Sequence, residues 1–446
     1  MTELVQQLAL LDALLSNWDG VLVRMGAPDA LRDEALAALA VKFSTAVSSD
    51  ELFLLLDDLL DLVEDTPAYD YVCTLIARAQ LDTGPVAKTR GGYAGELVSE
   101  EDKNTLASVS LSAGIALGSV VAIEVQHCSV KVFYATNRKS ASEGDLGFSG
   151  EHDPEGYSCG VAEVTIPVGV HRAGVVEQKK WWHLLSKKDD SRKYVVLGAV
   201  EKLEENAFIS RLAEGADGSR DLLVFLHGYN VTFEEAARQA AQFSFDLQFD
   251  GQVILYSWPS LGTLAGYCAD EERAFLSNGK FAGFLGMLGD GPWGKMHLIA
   301  HSMGNRVMLY GLSGNEWPSG SISQVVFAAA DVYVETFREL FPKIRGKAEL
   351  YTSYTSSKDR ALFLSNLLHK ARRIGISKGE PFVMEGLETI DASKLDYGLF
   401  ALGHGYFAEK KALIDDLSQL LGKGLPASHR KLYQHPSKVY WDFFRD

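Results

Sequence analysis

Residues 296–305 read Met296-His297-Leu298-Ile299-Ala300-His301-Ser302-Met303-Gly304-Asn305, an apolar strand pattern that stops at Ser302 and passes into a helix-compatible stretch. Its AHSMG segment has the pattern small-x-Ser-x-Gly, which holds a serine at a sharp strand-to-helix turn. Such a turn strains the serine backbone, so the residues two before and two after must be small, here Ala300 and Gly304. The hydroxyl is exposed near a helix N-terminus, where developing negative charge is stabilised. Ser302 is therefore a candidate nucleophile, the alternative being a buried serine in an ordinary turn.

The sequence upstream predicts the sheet that this turn requires. Residues 221–226 form a buried strand pattern that ends in an HG-containing loop at 227–230. A helical pattern runs from about 233 to 247, and residues 253–258 form a second buried strand pattern that ends at Pro259. Continuous apolar strands alternating with helices predict a mostly parallel sheet covered on both faces. The predicted fold class is α/β.

The HG loop precedes the serine by one strand-helix unit. In an α/β-hydrolase fold this position carries the second amide of the oxyanion hole. We assign the two donors to the backbone N–H groups of Tyr229 and Met303, which together would lower the barrier by several kcal/mol. The alternative is a tight loop with no catalytic role.

A nucleophilic serine needs a general base, and the base needs an orienting carboxylate. In this fold the order along the chain is Ser, acid, His. His404 is flanked by Gly403 and Gly405, which suits a loop that brings an imidazole close to another backbone. We predict His404 as the base rather than a structural turn histidine. The other downstream histidines are expected on surfaces: His369 in a basic amphipathic helix, and His429 and His435 in the basic, aromatic tail at 428–444.

Two strand patterns after Ser302 end in carboxylates. Residues 325–330 precede Asp331, and residues 350–358 precede Asp359. Counting strands places Asp359 after the seventh, the usual location of the acid, so we prefer Asp359 and keep Asp331 as the alternative. The carboxylate that is not the acid is expected to cap the next helix. Asp391 also ends a short apolar run and is interpreted as a strand-end residue.

The segment from 260 to 295 is rich in Gly, Phe and Leu. Its apolar residues could form a wall or lid over the site, or a buried helix packed under the sheet. We assign possible substrate contacts to Trp258, Phe281 and Phe284. A polar run at 140–160 predicts a long surface loop.

Eight short stretches carry a family resemblance: VFYATNR (132–138), VTIPVGVHRAG (164–174), LLVFLHGYN (222–230), YSWPS (256–260), AHSMGN (300–305), AAADV (328–332), SSKDRAL (356–362) and GHGYF (403–407). With them the chain resembles an uncharacterised bacterial α/β-hydrolase family of the esterase/lipase superfamily, over about residues 120–410. The resemblance implies a Ser-Asp-His triad, which maps onto Ser302, Asp359 and His404. One departure is Ala330, where the family leads us to expect proline before Asp331.

Composition limits the class of protein. The chain has 446 residues, for which two domains are the expected number, and an ordinary apolar fraction of 47%. Its four cysteines are far apart with no CxxC pair, a pattern typical of a reducing compartment and of neither a disulfide framework nor a zinc site. We see no basic n-region of a secretory signal, and no apolar stretch reaches about 18 residues. These features predict a cytoplasmic protein without a transmembrane segment.

The net charge of −16 is concentrated near the start of the chain. Residues 1–80 contain fourteen Asp or Glu and four Lys or Arg, in a strongly helical pattern. We predict an acidic helical bundle at 1–80, a linker at 81–115 and an α/β-hydrolase catalytic domain at 116–446. The bundle is either a solvated structural unit or an adaptor that recruits a protein partner. Its acidity disfavours nucleic-acid binding.

These features together predict acyl transfer to water at Ser302, with carboxylic esters or lipids as the leading substrate class. A thioester or peptide bond would use the same groups, and no metal or organic cofactor is required. The alternative is a regulated effector or a scaffold, in which the helical segment at 1–80 recruits a partner to the hydrolase fold.

Overall fold

The computed structural model describes residues 127–141, 147–168, 195–214, 221–262, 266–289, 291–314, 322–357, 372–377, 380–395, 407–437 and 439–444. The predicted helical bundle at 1–80 and linker at 81–115 lie outside these residues. All the described residues fall within the predicted domain at 116–446.

Strands and helices alternate along most of the described chain. The strands are β1 His127–Thr136, β2 Arg138–Ser140, β3 Phe148–His152, β4 Ser158–Pro167, β5 Val196–Leu203, β6 Asp221–Leu226, β7 Gly251–Ser257, β8 Met296–His301, β9 Ile322–Ala328, β10 Ala348–Thr355, β11 Glu388–Asp391, β12 Tyr433–Gln434 and β13 Trp441–Asp442. The α-helices are α1 Glu205–Glu214, α2 Phe233–Leu247, α3 Tyr267–Gly289, α4 Gly304–Ser313, α5 Val334–Ile344 and α6 Phe407–Lys423.

In the described part of the chain, eleven strands form one sheet in the order β12-β13-β11-β10-β9-β8-β6-β7-β1-β4-β5. The strands from β1 through to β13 in this order pair in parallel, and β4 and β12 add antiparallel pairs at the two ends. The predicted mostly parallel sheet is therefore confirmed. Because the central strands are parallel, their carboxyl ends share one edge, where an open α/β sheet carries its functional site.

Both faces of the sheet are buried, which explains why the strands are continuously apolar. On β6, Leu222, Val224 and Leu226 pack on one face, while Leu223 and Phe225 pack on the other. The first face is covered by α1, α3, α4 and α5, and the second by α2 and α6. The period-two alternation of side chains along a strand distributes each strand between the two cores.

The predicted helix at 233–247 has the observed bounds of α2. A capping box fixes its start: Thr232 Oγ1 accepts from Glu235 N at 3.2 Å, and Glu235 Oε2 accepts from Thr232 N at 2.7 Å. Gln248, in the left-handed conformation, ends it. This helix connects β6 to β7 along the chain and packs on β7, β1 and β4.

Two segments predicted to lie on the surface also contain strands of the fold. The run at 140–160 contains β3, because the buried Phe148 ring packs 4.8 Å from the Phe233 ring. The tail at 428–444 contains β12 and β13, which extend the sheet beyond β11. Its Arg430 is buried and bonds Asp416 Oδ2 at 2.8 Å. The sequence did not reveal these strands because both segments are mostly polar. Only a few apolar rings and one buried ion pair anchor them.

Candidate active site

Ser302 lies between the end of β8 and the start of α4. Its φ is +49°, in the left-handed region that residues other than glycine rarely adopt. The side chain is buried, at 4% exposure, at the edge formed by the strand ends. The strand-to-helix turn predicted from AHSMG is therefore present, with the strained backbone that such a turn implies.

The space around this turn explains the small residues in the motif. A Cβ atom on Gly304 would be 2.4 Å from the carbonyl oxygen of His227, which is too close for any residue with a side chain. A Cβ on Gly228 would be 2.9 Å from His301 Nδ1 and 3.2 Å from Ser302 Cβ. The HG loop after β6 therefore lies directly against the serine turn, although some 75 residues separate them in sequence.

Backbone hydrogen bonds hold Ser302 in its conformation. Its N–H donates to Ala328 O at 3.0 Å, and its carbonyl oxygen accepts from Asp331 N at 3.1 Å. Asn305 supports the same carbonyl through its N–H at 3.2 Å and its Nδ2 at 2.9 Å. Within the described residues Ser302 Oγ has no hydrogen-bond partner. The main chain is thus fully engaged, and the hydroxyl is buried and available.

The two predicted oxyanion-hole residues belong to the two segments that meet at Ser302. Met303 directly follows Ser302 and caps the N-terminus of α4. Tyr229 follows Gly228 in the loop that abuts the turn, and its ring packs 5.3 Å from the ring of Tyr267. Partial positive charge at a helix N-terminus favours an anion at this point.

His227 begins the HG loop and is fully buried. Its ring stacks on Trp258 at 5.2 Å, and Trp258 Nε1 donates to the His227 carbonyl oxygen at 2.8 Å. Burial lowers the pKa of His227 well below its ordinary value, so its ring is neutral near pH 7. The ring stack and this hydrogen bond connect the start of the HG loop to the segment after β7.

This geometry corrects the predicted substrate contacts. Trp258, Phe281 and Phe284 are all fully buried, and the two phenylalanines pack around Tyr256 in the core. The second alternative for the 260–295 segment, a buried helix, describes these two residues of α3. A sequence rich in apolar residues does not distinguish a lid from a core helix, because both bury the same side chains.

Asp331, the alternative acid, has neighbours for both of its carboxylate oxygens. Oδ1 lies 3.1 Å from Arg373 Nε and 3.6 Å from Arg306 Nη2, and Oδ2 accepts from the Tyr267 hydroxyl at 2.5 Å. Arg306 in turn pairs with Glu271 at 2.6 Å. Asp331 is therefore part of a buried ionic network that joins β9 to α3 and α4.

Asp359 and His404 lie outside the described residues. The described chain reaches Ser357 on the path from β10 to Asp359, and Leu395 on the path from β11 to His404. A hydrogen bond from Ser357 N to Ser393 Oγ, 2.7 Å long, joins these two paths at the carboxyl edge of the sheet.

Asp391 anchors that junction, as expected of a strand-end residue. Its Oδ1 accepts from Ser393 N at 2.9 Å and from Ser377 Oγ at 3.0 Å. The ends of β10 and β11 are thereby held together.

Sequence reasoning missed two residues that hold the HG loop. Asp270, fully buried on α3, accepts from Asn230 N at 3.3 Å and from Ser260 Oγ at 2.5 Å. No motif in the sequence around Asp270 indicated that this residue holds the loop. Arg138 also contacts the loop, and its position in the VFYATNR stretch was the available signal.

A family model described as "Alpha/beta hydrolase of unknown function (DUF900)" matches residues 201–423, half of the 446-residue chain. The chain belongs to this family. The match includes Ser302, Asp331, Asp359 and His404, whereas the stretches at 132–138 and 164–174 precede it. No curated protein matches the chain.

Three further findings concern the described part of this α/β hydrolase. None of its helices is long and apolar enough to cross a membrane. In the same residues, no group of three or more His, Cys, Asp and Glu side chains is placed to hold a metal ion. Cys128, Cys159 and Cys268 are free thiols.

Proposed function

We propose that this α/β hydrolase is a serine hydrolase that cleaves ester-type bonds through an acyl-enzyme. One observation carries the proposal: Ser302 has a left-handed backbone and a buried hydroxyl without a partner among the described residues, beside the N-terminus of α4 and against the HG loop. A strained serine with an unsatisfied buried hydroxyl is costly to keep for structure alone. Catalysis explains that cost.

His404 is the general base and Asp359 is the acid in this proposal. Both follow strands whose carboxyl ends lie at the same edge as Ser302, since β8, β10 and β11 are parallel members of one sheet. The order Ser302, Asp359, His404 is also that of the fold. Asp331 is the weaker alternative, because two guanidinium groups and a phenol occupy its oxygens.

The reaction proceeds in two acyl-transfer steps. His404 removes the Ser302 proton as Oγ attacks the ester carbonyl carbon, and the amides of Tyr229 and Met303 receive the oxyanion. The protonated imidazole, held by Asp359, gives its proton to the leaving alkoxide as the carbon–oxygen bond breaks. A water molecule activated by His404 then attacks the acyl-enzyme, which releases the acid and restores Ser302.

Carboxylic esters, including lipid esters, are the leading substrates. The same groups can also attack the carbonyl carbon of a thioester or a peptide bond. Since Phe281 and Phe284 belong to the core, they supply no argument for a long acyl chain.

Fluorophosphonate labelling of the full-length protein tests the proposal. We expect covalent labelling at Ser302 in the wild type, none in Ser302→Ala, and hydrolysis of p-nitrophenyl esters that is lost in the same variant. Ser313→Ala is the matched control, because Ser313 lies at the other end of α4 and its hydroxyl bonds Tyr310 O at 3.0 Å. Wild-type protein that is neither labelled at Ser302 nor hydrolytic would favour a scaffold instead.

A further inference from the structure

Arg138 is one of the largest fully buried side chains in the described part of the chain, at 1% exposure. It directly follows Asn137 after β1 and lies under the loops that end β6 and β7. Within the described residues its guanidinium group contacts hydroxyl and carbonyl oxygens and the ring of His227, and its hydrogen-bond partners there include no carboxylate.

The guanidinium group joins three separate segments. Nη2 donates to Val231 O at 2.8 Å, in the HG loop. Nε donates to Ser257 Oγ at 2.9 Å and Nη1 to Ser260 O at 2.9 Å, both in the segment that ends β7. Nη1 also lies 3.3 Å from Ser149 O on β3. A planar group with five donors suits this multiple attachment, which the single ammonium of lysine cannot reproduce.

A buried cation of this kind is expensive. Burial lowers the pKa of Arg138 to about 9, which still leaves the group protonated at neutral pH. Asp270 is the carboxylate that most favours its charge, yet Asp270 bonds Asn230 N and Leu261 N instead of Arg138. Arg138 and Asp270 are thus both buried, and each of them bonds the loop between Gly228 and Thr232.

We infer that Arg138 is a positioning residue that fixes the oxyanion-hole amide of Tyr229. This inference rests on the proposed function. Tyr229 lies two residues before Val231, the carbonyl of which Arg138 holds, and one residue after Gly228, which abuts Ser302. Asp270 holds the intervening Asn230, whose φ is +57°. The two residues that follow Tyr229 are therefore both held, Asn230 through its N–H by Asp270 and Val231 through its carbonyl oxygen by Arg138.

The position of an oxyanion donor matters on the scale of an ångström. Donors act when they lie about 2.7–3.1 Å from the developing oxyanion, and a displacement of about 1 Å can reduce the rate about 10²-fold. Loss of Arg138 should therefore reduce kcat much more than it raises KM, because the oxyanion develops only in the transition state.

The test compares Arg138→Gln and Arg138→Lys with Arg430→Gln in the full-length protein. Arg430 is the matched control, since it is also buried but bonds Tyr354, Asp416 and Glu388 at the other end of the sheet. Each variant is measured by thermal unfolding, by kcat and KM for p-nitrophenyl butyrate, and by the rate of fluorophosphonate labelling. We expect kcat and the labelling rate to fall about 10²-fold in Arg138→Gln, with KM little changed.

Arg138→Lys keeps the charge and part of the hydrogen bonding, so its kcat should lie between those of the wild type and Arg138→Gln. If Arg138→Gln does not fold, Arg138→Lys still tests the inference. Arg430→Gln should lower Tm while its folded fraction keeps wild-type kcat. Folded Arg138 variants with wild-type kcat and labelling rate would overturn the inference and leave the proposed function intact. A wild type that is not labelled at Ser302 would overturn both.

Discussion

Gly304 lies so close to the carbonyl oxygen of His227 that a Cβ atom on it would be 2.4 Å from that oxygen. The clash would be with backbone, which cannot rotate away as a side chain can. This contact joins the serine turn after β8 to the HG loop after β6, and it makes the glycine of the motif a packing requirement.

Gly304→Ala should therefore destabilise the protein by about 1–3 kcal/mol and slow fluorophosphonate labelling of Ser302, because the loop must move. Gly279→Ala on α3 is the matched control, since a Cβ there meets nothing within 4 Å and alanine is the better helix former. Thermal unfolding and labelling rates of both variants check the prediction. Equal Tm values in the two variants would show that the turn relaxes freely.

The two candidate acids should respond differently to Asp→Asn substitution. Asp359→Asn should reduce kcat by roughly 10⁴-fold with little change in Tm, as the loss of a triad carboxylate does. Asp331→Asn should instead cost about 3–5 kcal/mol of stability, because it leaves Arg373 and Arg306 without their buried partner. Steady-state kinetics and urea unfolding separate the outcomes. The reverse assignment follows if folded Asp331→Asn is inactive and Asp359→Asn is active.

The choice of base is tested by comparing two downstream histidines. His404→Asn should abolish fluorophosphonate labelling at Ser302 and ester hydrolysis, because the hydroxyl then has no proton acceptor. His435→Asn is the control, since His435 Nδ1 bonds Ser437 in the tail at 2.9 Å. Mass spectrometry of the labelled peptide gives the readout. Full labelling of His404→Asn would require another base.

Low pH should reduce the free energy of unfolding because histidines are buried in the fold. Burial lowers the pKa of His297, which is fully buried on β8, below its ordinary value of 6.5, and Asp221 only partly offsets this. As pH falls below 6.5, the unfolded chain binds a proton that the folded chain does not, so stability decreases. The slope is at most about 1.4 kcal/mol per pH unit for one histidine.

His297→Gln should flatten this dependence below pH 6.5 relative to wild type. Urea unfolding across that range measures the slope, and His435→Asn serves again as the tail control. An unchanged slope in His297→Gln would assign the acid sensitivity to other groups, such as the buried His227.

The sheet was predictable because burial on both faces leaves a direct mark on sequence. Apolar runs at β6, β7, β8, β9 and β10, and the helical pattern of α2, needed no tertiary information. The buried α3 was left open between lid and core, and the strands in the tail were not predicted, because one-dimensional patterns do not tell which neighbour an apolar or charged side chain meets.

The sequence by itself determined the alternation of strands and helices and the serine turn, because local periodicity and a five-residue motif encode both. Only the tertiary structure decided that His227 abuts Gly304, that Asp331 is held by two arginines, and that Trp258, Phe281 and Phe284 are core. Only it revealed that Arg138 and Asp270 hold the HG loop. Those relationships depend on contacts between residues far apart along the chain, and no local pattern records which distant partner a buried charge or ring will find.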